Sequence, residues 1–345
     1  MPQLADKKKP RWRTTFSMRL LLAVVALATI AAFWFAFYVD RAKHEAKLVE
    51  ETSALAPKIN YDYQFDKDTK LYDLNNAAPP GPAFLRRYFG EHLFGTVEAV
   101  LVRGYEVDQV RGHAVDQELE EFQKLLQFSN LREFALLSFH LENLSDISKI
   151  PKLESLHLVA CSPISDLSPL SNAESLKQVA LHMCPAIKDL TPLLDAPNLN
   201  SVILSRMDCD DYAVLKGLPN LKVLKIGQLS KEVADWSWIG EMKSLEELHF
   251  QGAKIKAFPS LSALTRLETL VIDYNSDCPL KSIAPFAHSK KLTYLKIRNV
   301  APNQSVDVIL ELSNLEVLEI PKLTFSDEEI AELRRIRPNL KITIL

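Results

Sequence analysis

The sequence predicts an α/β solenoid: a horseshoe with one parallel β-sheet of about 10–11 strands and short 3-10 or helical returns, preceded by one transmembrane helix. Three observations predict it. A six-residue apolar pattern recurs at intervals in the low twenties over more than two hundred residues. The segments between its copies are short and place Asp or Ser ahead of Pro. A run of twenty uncharged residues stands near the N-terminus.

The run comes first in the chain. Leu20 to Val39 reads LLLAVVALATIAAFWFAFYV. A helix of that length, at ~1.5 Å per residue, crosses a ~30 Å hydrocarbon core. Trp34, Phe35, Phe37 and Tyr38 crowd its distal end, where aromatic rings favour the lipid–water boundary. Six basic residues and one acidic residue precede Asp40. That bias puts residues 1–19 in the cytoplasm as a basic tail and the rest of the chain on the far side of a membrane. The competing reading is a signal peptide cut near Ala26-Leu27-Ala28. It is disfavoured because cutting there leaves an apolar start and the aromatic belt on the product.

Residues 40–82 are expected as stalk and linker. Residues 40–58 are Ala-rich with mixed charge, and Asn75-Asn76 followed by Pro79-Pro80-Gly81-Pro82 reads as a loop. Residues 83–130 are expected as an N-terminal cap and first strand. FLRRYFGEHLF (84–94) covers the open edge, with Arg86-Arg87 on a solvated face or against lipid headgroups or a partner. VEAVLV (97–102) is the first strand, and Asp116 to Gln127 reads as a helix with Leu119, Phe122 and Leu126 on one face.

The repeats occupy residues 131–345. The pattern L-x-x-L-x-L appears as LREFAL (131–136), LESLHL (153–158), LKQVAL (176–181), LNSVIL (199–204) and LKVLKI (221–226). It continues as LEELHF (245–250), LETLVI (267–272), LTYLKI (292–297), LEVLEI (315–320) and LKITIL (340–345). The period is the leucine-rich-repeat signature. Each unit is a strand with alternate residues inward and a return that cannot bury its apolar row alone, so stacking builds the core. The returns ISDLSPL (164–170), IKDLTPL (187–193) and SIAPF (282–286) favour tight turns or 3-10 pieces. Ser326 to Glu329 is a capping box before a last helix, which with the last strand seals the C-terminal end.

These units resemble the short bacterial leucine-rich repeats of the internalin type, through the I-x-D-L-x-P-L return. The N-terminal half (FSMRLLLAVVALATIAAFW, YDYQF at 61–65, PPGPAFLRRYFGEHLF at 79–94 and VEAVLV) resembles planctomycete membrane-anchored leucine-rich-repeat proteins. That resemblance implies a binding module facing the cell envelope and names no partner.

Composition bounds the function. Of 345 residues, 47% are apolar and 25% charged, enough for a long core. The net charge is −3, and the basic N-terminus leaves an acidic body, which argues against nucleic acid. No nucleophile elbow, zinc-protease, P-loop or dinucleotide motif is present, and nine glycines leave little room for phosphate-cradling loops. The reading is therefore not an enzyme, with no cofactor. Cys161 and Cys184 hold the buried position three past the last leucine, and Asn275 takes that place further along. A disulfide between the two cysteines stays open in an oxidising compartment. Cys209 and Cys278 read as loop packing. Asp208, Asp210 and Asp211 lack the glycine and distal glutamate of a calcium loop. His157 and His182 lie on neighbouring strands, but no third ligand is in register and His249 is three strands further on, so no metal is expected. Asn143 and Asn303 begin short glycosylation-acceptor patterns, which matter only in a eukaryotic secretory pathway.

Alternation places a partner. Early outward positions (Leu137, Ser155, His157, Val159, Gln178, Ala180, His182, Ser201, Ile203, Ser205) are nearly uncharged. Later ones (Lys225, Glu247, His249, Asp273, Tyr294, Lys296, Arg298, Glu319) are charged and mixed. The expected interface is this concave face, with Leu137, His157, Val159, Gln178, His182, Ile203, His249, Tyr294 and Arg298 as contact residues and a protein as partner. The alternative is a structural envelope protein binding wall or glycan material, for which Tyr294 is the one aromatic in place.

Overall fold

The computed structural model describes residues 18–66, 71–72, 77, 79–89, 91–103, 120–229, 233, 235–252, 258–273 and 280–345. Leu119, Asn275 and Cys278, singled out above, lie outside them.

One helix, α1 (Met18–Thr52), runs unbroken through the apolar segment and beyond it. It is followed by β1 (Lys58–Tyr61), by a short pairing of β2 (Phe65–Asp66) with β3 (Leu71–Tyr72), and by α2 (Ala83–Phe89). The repeats then supply β4 (Val97–Arg103), β5 (Glu133–Leu137), β6 (Ser155–Val159), β7 (Gln178–His182) and β8 (Ser201–Ser205). They continue with β9 (Val223–Gly227), β10 (Glu247–Gln251), β11 (Thr269–Asp273), β12 (Tyr294–Ile297), β13 (Val317–Ile320) and β14 (Lys341–Ile344). Together with β1 these form a 12-stranded sheet in which β4 to β14 are parallel and follow chain order.

Register explains the core. Leu156 pairs with Val179, Val179 with Val202, Val202 with Leu224, Leu224 with Leu248, and Leu248 with Leu270. Each of these side chains is wholly buried. Stacked neighbours share one apolar row, which no single unit could hide. Short 3-10 turns line the opposite face, among them Ser168–Leu170, Thr191–Asp195, Ala213–Gly217 and Ser237–Glu241. An aspartate two residues before each turn sets it. Asp166, Asp189, Asp211 and Asp235 accept backbone N–H bonds of 2.7–2.8 Å from Ser168, Thr191, Ala213 and Ser237. The C-terminal helix, Asp327–Ile336, starts on the expected capping box: Glu329 N donates to Ser326 Oγ at 3.2 Å, and Ser326 N to Glu329 Oε2 at 2.8 Å.

The structure differs from the sequence expectation at both ends of the solenoid. The last strand is out of step by one residue, because Ile342 and Ile344 pair with Leu318 and Ile320. The final unit therefore runs 339–344 rather than 340–345. Leu340 is still buried, since the turn from the C-terminal helix folds it inward. The second difference concerns the stalk. Residues 40–61 are helical and extended as a stalk would be, but they are packed. Ala42, Glu45, Leu48, Thr52, Leu55 and Ala56 are buried, and β1 pairs antiparallel with β4. An exposed first strand would leave a row of unpaired backbone groups and half a core open to water, and this segment covers both.

Candidate binding surface

Each strand ends in a turn that aims the concave face. The residue two past the last inward apolar position is left-handed in six successive units: Ser138, Ala160, Met183, Arg206, Gln228 and Gly252, with φ between 47° and 67°. Each donates its N–H to the carbonyl closing the next strand, at 2.6–2.9 Å. Only the last is a glycine, so five side-chain-bearing residues accept that strain, and composition gave no sign of it.

The outward positions form rows across the sheet. One row runs Ala135, His157, Ala180, Ile203, Lys225, His249, Val271, Lys296 and Glu319. A second runs Leu137, Val159, His182, Ser205, Gly227, Gln251 and Asp273. The structure thus places Leu137, His157, Val159, Gln178, His182, Ile203, His249 and Tyr294 on this face, all half-buried. Arg298, just past β12, is exposed and reaches Asp273 at 2.6 Å. Ser155 and Ser201, expected in the open patch, are only 8% and 6% exposed. Sheet curvature and the flanking side chains close over such short groups.

Beside Ile203 the face is indented. Gly227 sits mid-row between Ser205 and Gln251, and a Cβ there would lie 3.3 Å from Gln251 O and 3.4 Å from Ser205 Oγ. Gly227 also borders a depression of about 270 Å³ lined by Ile203, Ser205, Lys225, His249, Gln251, Val271 and Asp273. Sequence reasoning passed over Gly227. A lone glycine within a strand pattern was the available signal.

The electrostatics divide the face in two. Towards the C-terminus, Lys296 lies 3.8 Å from Asp273 and 3.4 Å from Glu319, while Tyr294 Oη donates to Glu319 at 2.8 Å. These groups answer one another. Towards the N-terminus, His157 Nε2 meets Ser155 Oγ and Gln178 Nε2, each at 2.9 Å. Burial holds the His157 imidazole below its usual range. His182 is lowered by burial and then by Arg206, and His249 by burial and then by Lys225, with Glu247 opposing. In all three the neutral imidazole is favoured. Among the described residues no three His, Cys, Asp or Glu side chains gather as a metal site.

The cysteines belong to the core. Cys161 and Cys184 are fully buried and free, with Sγ donating to strand carbonyls at 3.4–3.7 Å. The contact with Cys184, and then burial, pushes the Cys161 thiol far up. Phe139 and Met207 fill the same position in the adjoining units, so volume rather than chemistry is what this position selects. Burial pushes the Cys209 thiol up to about 11. Asp208 is bound by Lys188, and Asp211 caps its own turn, so the acidic cluster is a built turn.

A parallel sheet with stacked leucine rungs, a unit in the low twenties and 3-10 returns defines a solenoid of the leucine-rich-repeat class. The chain is a leucine-rich-repeat protein, and the pairing register itself carries that statement. No protein-family model matches the chain, and no curated protein matches it. Among solved structures it is similar to an internalin of Listeria monocytogenes, with 20% identity, a TM-score of 0.48 and coverage of 72% of this chain and 82% of that one. A leucine-rich-repeat protein of Leptospira interrogans aligns at 21% identity with a TM-score of 0.48, over 64% of this chain and 62% of that one. A second Listeria monocytogenes internalin domain, described as including a cysteine ladder, aligns at 12% identity with a TM-score of 0.39, over 63% of this chain and 60% of that one.

Proposed function

We propose that this chain is a membrane-anchored, non-enzymatic binding module that holds a protein partner on its concave sheet face, outside the cytoplasm. One observation carries the reading. The N-terminal half of that face presents half-buried apolar side chains (Leu137, Val159, Ile203) and ends at a depression that Ile203 lines together with Lys225, His249, Val271 and Asp273, whereas the C-terminal end is closed by its own ion pairs. A weakly charged patch beside an indented, charged rim is how an interface core is organised. The anchor rests on α1, whose apolar part, from Leu22 to Tyr38, is exposed throughout and long enough to cross a bilayer. A cleaved leader fits less well, because the same helix continues without a break into the buried cap. The basic residues before the span set the sidedness.

Wall or glycan binding is the second reading. It calls for surface aromatics on the sheet, and Tyr294 has its hydroxyl held by Glu319, which weakens it.

The test is a pull-down from solubilised membranes with residues 40–345 as bait, beside the same bait carrying Ile203→Glu. The reading expects one protein retained by the first and lost by the second. Equal capture by both sinks the concave-face assignment. Digestion by protease added to intact cells with a permeabilised outer barrier checks sidedness, and full protection of the repeats would reverse it.

A further inference from the structure

Four contacts fix how α1 meets the solenoid. Glu45 takes the Val97 backbone N–H at the start of β4 and lies 3.3 Å from Ser129 Oγ, in the turn before β5. Six residues on, Glu51 meets Lys124 at 3.3 Å. Leu55 O then accepts from Arg103 N, the end of β4, at 3.0 Å. So α1 and β4 run in the same direction. Going back along α1 from Glu45 therefore leads past the start of β4. That is where the chain before Val97 lies, and α1 does pack on residues 91–93 and touch α2. Tyr38 is seven residues before Glu45, roughly 10 Å along the axis. It ends the aromatic belt that Trp34 begins.

α2, which touches α1, carries an exposed apolar pair. Phe84 is 63% exposed and Tyr88 80%, one helical turn apart, and Arg87 beside them is exposed as well. Arg86 is different: it turns inward and binds Pro79 O. Two bare rings next to a cation are costly on a wholly solvated surface and suited to the lipid–water boundary. The edge of the solenoid where strands start is mixed in charge with a basic excess. Before each first leucine stand Lys152, Lys243, Arg266, Lys290 and Lys291 against Glu174, all exposed, and just after it Arg132, Lys177, Lys222 and Lys341 against Glu154, Glu246, Glu268 and Glu316.

We propose that α2 is a second membrane contact. Phe84 and Tyr88 enter the lipid interface beside α1, Arg87 meets phosphate oxygens, and the strand-start edge of the solenoid is held towards the bilayer. The contact depends on α1 spanning the membrane. It adds an orientation: with both elements seated, the concave face stands across the membrane surface rather than swinging on a tether.

The test uses the full chain reconstituted in phosphatidylcholine–phosphatidylglycerol vesicles containing nitroxide-labelled lipid. A bimane is placed in turn at Trp34→Cys, Tyr88→Cys and Ser165→Cys, with Cys278→Ser removing a competing thiol. Burial of the other three cysteines keeps them from labelling. Positions 34 and 88 should each lose about half of their emission or more, as expected for a group ~5–10 Å into the interface, and position 165 should lose none. Quenching at 34 without 88 overturns the α2 contact while the span stands, and leaves Phe84 and Tyr88 to a protein partner. Quenching at neither overturns the span and the contact with it.

Discussion

Glu45 accepts a hydrogen bond from Ser129 at 3.3 Å across 84 residues of chain, and so ties α1 to the first turns of the solenoid. Both groups sit near the start of the strands, and Glu45 is only 2% exposed. Burial raises its carboxyl above the usual range, against the pull of Arg41.

The cap gives the first prediction. A fragment of residues 40–345 should fold, whereas one of residues 66–345, lacking the helix and β1, should melt far lower and aggregate. Within the longer fragment, Leu48→Ala should cost ~2–5 kcal/mol, the range for a buried leucine. At this size that is roughly 2–4 °C in Tm for each kcal/mol. Equal melting of the two fragments would make residues 40–61 a stalk after all.

The ladder gives a second. Leu248→Ala and Leu270→Ala each remove one of two paired rungs and should cost ~2–5 kcal/mol. His157→Ala should lose ~0.5–1.5 kcal/mol for each of its hydrogen bonds to Ser155 and Gln178, and so less than a ladder leucine. Denaturant titration that ranks His157→Ala with the leucines contradicts the register.

A third concerns the face. Ile203→Glu puts a carboxylate at the rim of the depression, where a bound partner excludes water, and should abolish a micromolar contact. Ser168→Glu, exposed in a return, adds the same charge and should leave capture unchanged, with Tm lowered only by the loss of its contact with Asp166. Loss of capture in both variants, each still folded, would move the interface elsewhere.

pH supplies a fourth. Burial first, then Glu98 and Glu154, hold the Glu133 carboxyl above its usual range. An acid raised on folding binds its proton more firmly in the native state. Its contribution is therefore favourable below the unfolded value of ~4.3 and is lost as pH rises through the folded value. Glu133→Gln should raise Tm at pH 7 and make little difference at pH 4. The lowered His157 acts in the opposite sense: its contribution is fully present above the unfolded value of ~6.5 and is lost as pH falls through the lower folded value. A Tm gain from Glu133→Gln that persists unchanged at pH 4 would show that charge is not the cause.

The sequence by itself determined the solenoid. A leucine that returns every low-twenties residues, with strict alternation around it, fixes which side of every strand is core, because each unit meets the same environment as the last. That is why Leu248 and Leu270 could be assigned inward, and Ile203 and Val159 outward, before any coordinates. The D-x-S/T-P returns were legible for the same reason: Asp166 and Asp189 act on residues two positions away. What only the tertiary structure decided are the contacts that occur once. Glu45 against Ser129, β1 on β4, and the one-residue slip that pairs Ile344 with Ile320 have no period to betray them. The burial of Ser155 and Ser201 and the depression at Gly227 depend on how neighbouring strands crowd or leave space. A repeat reports the average neighbour, whereas an edge or an indentation is set by one particular neighbour, brought near by the folding of distant chain.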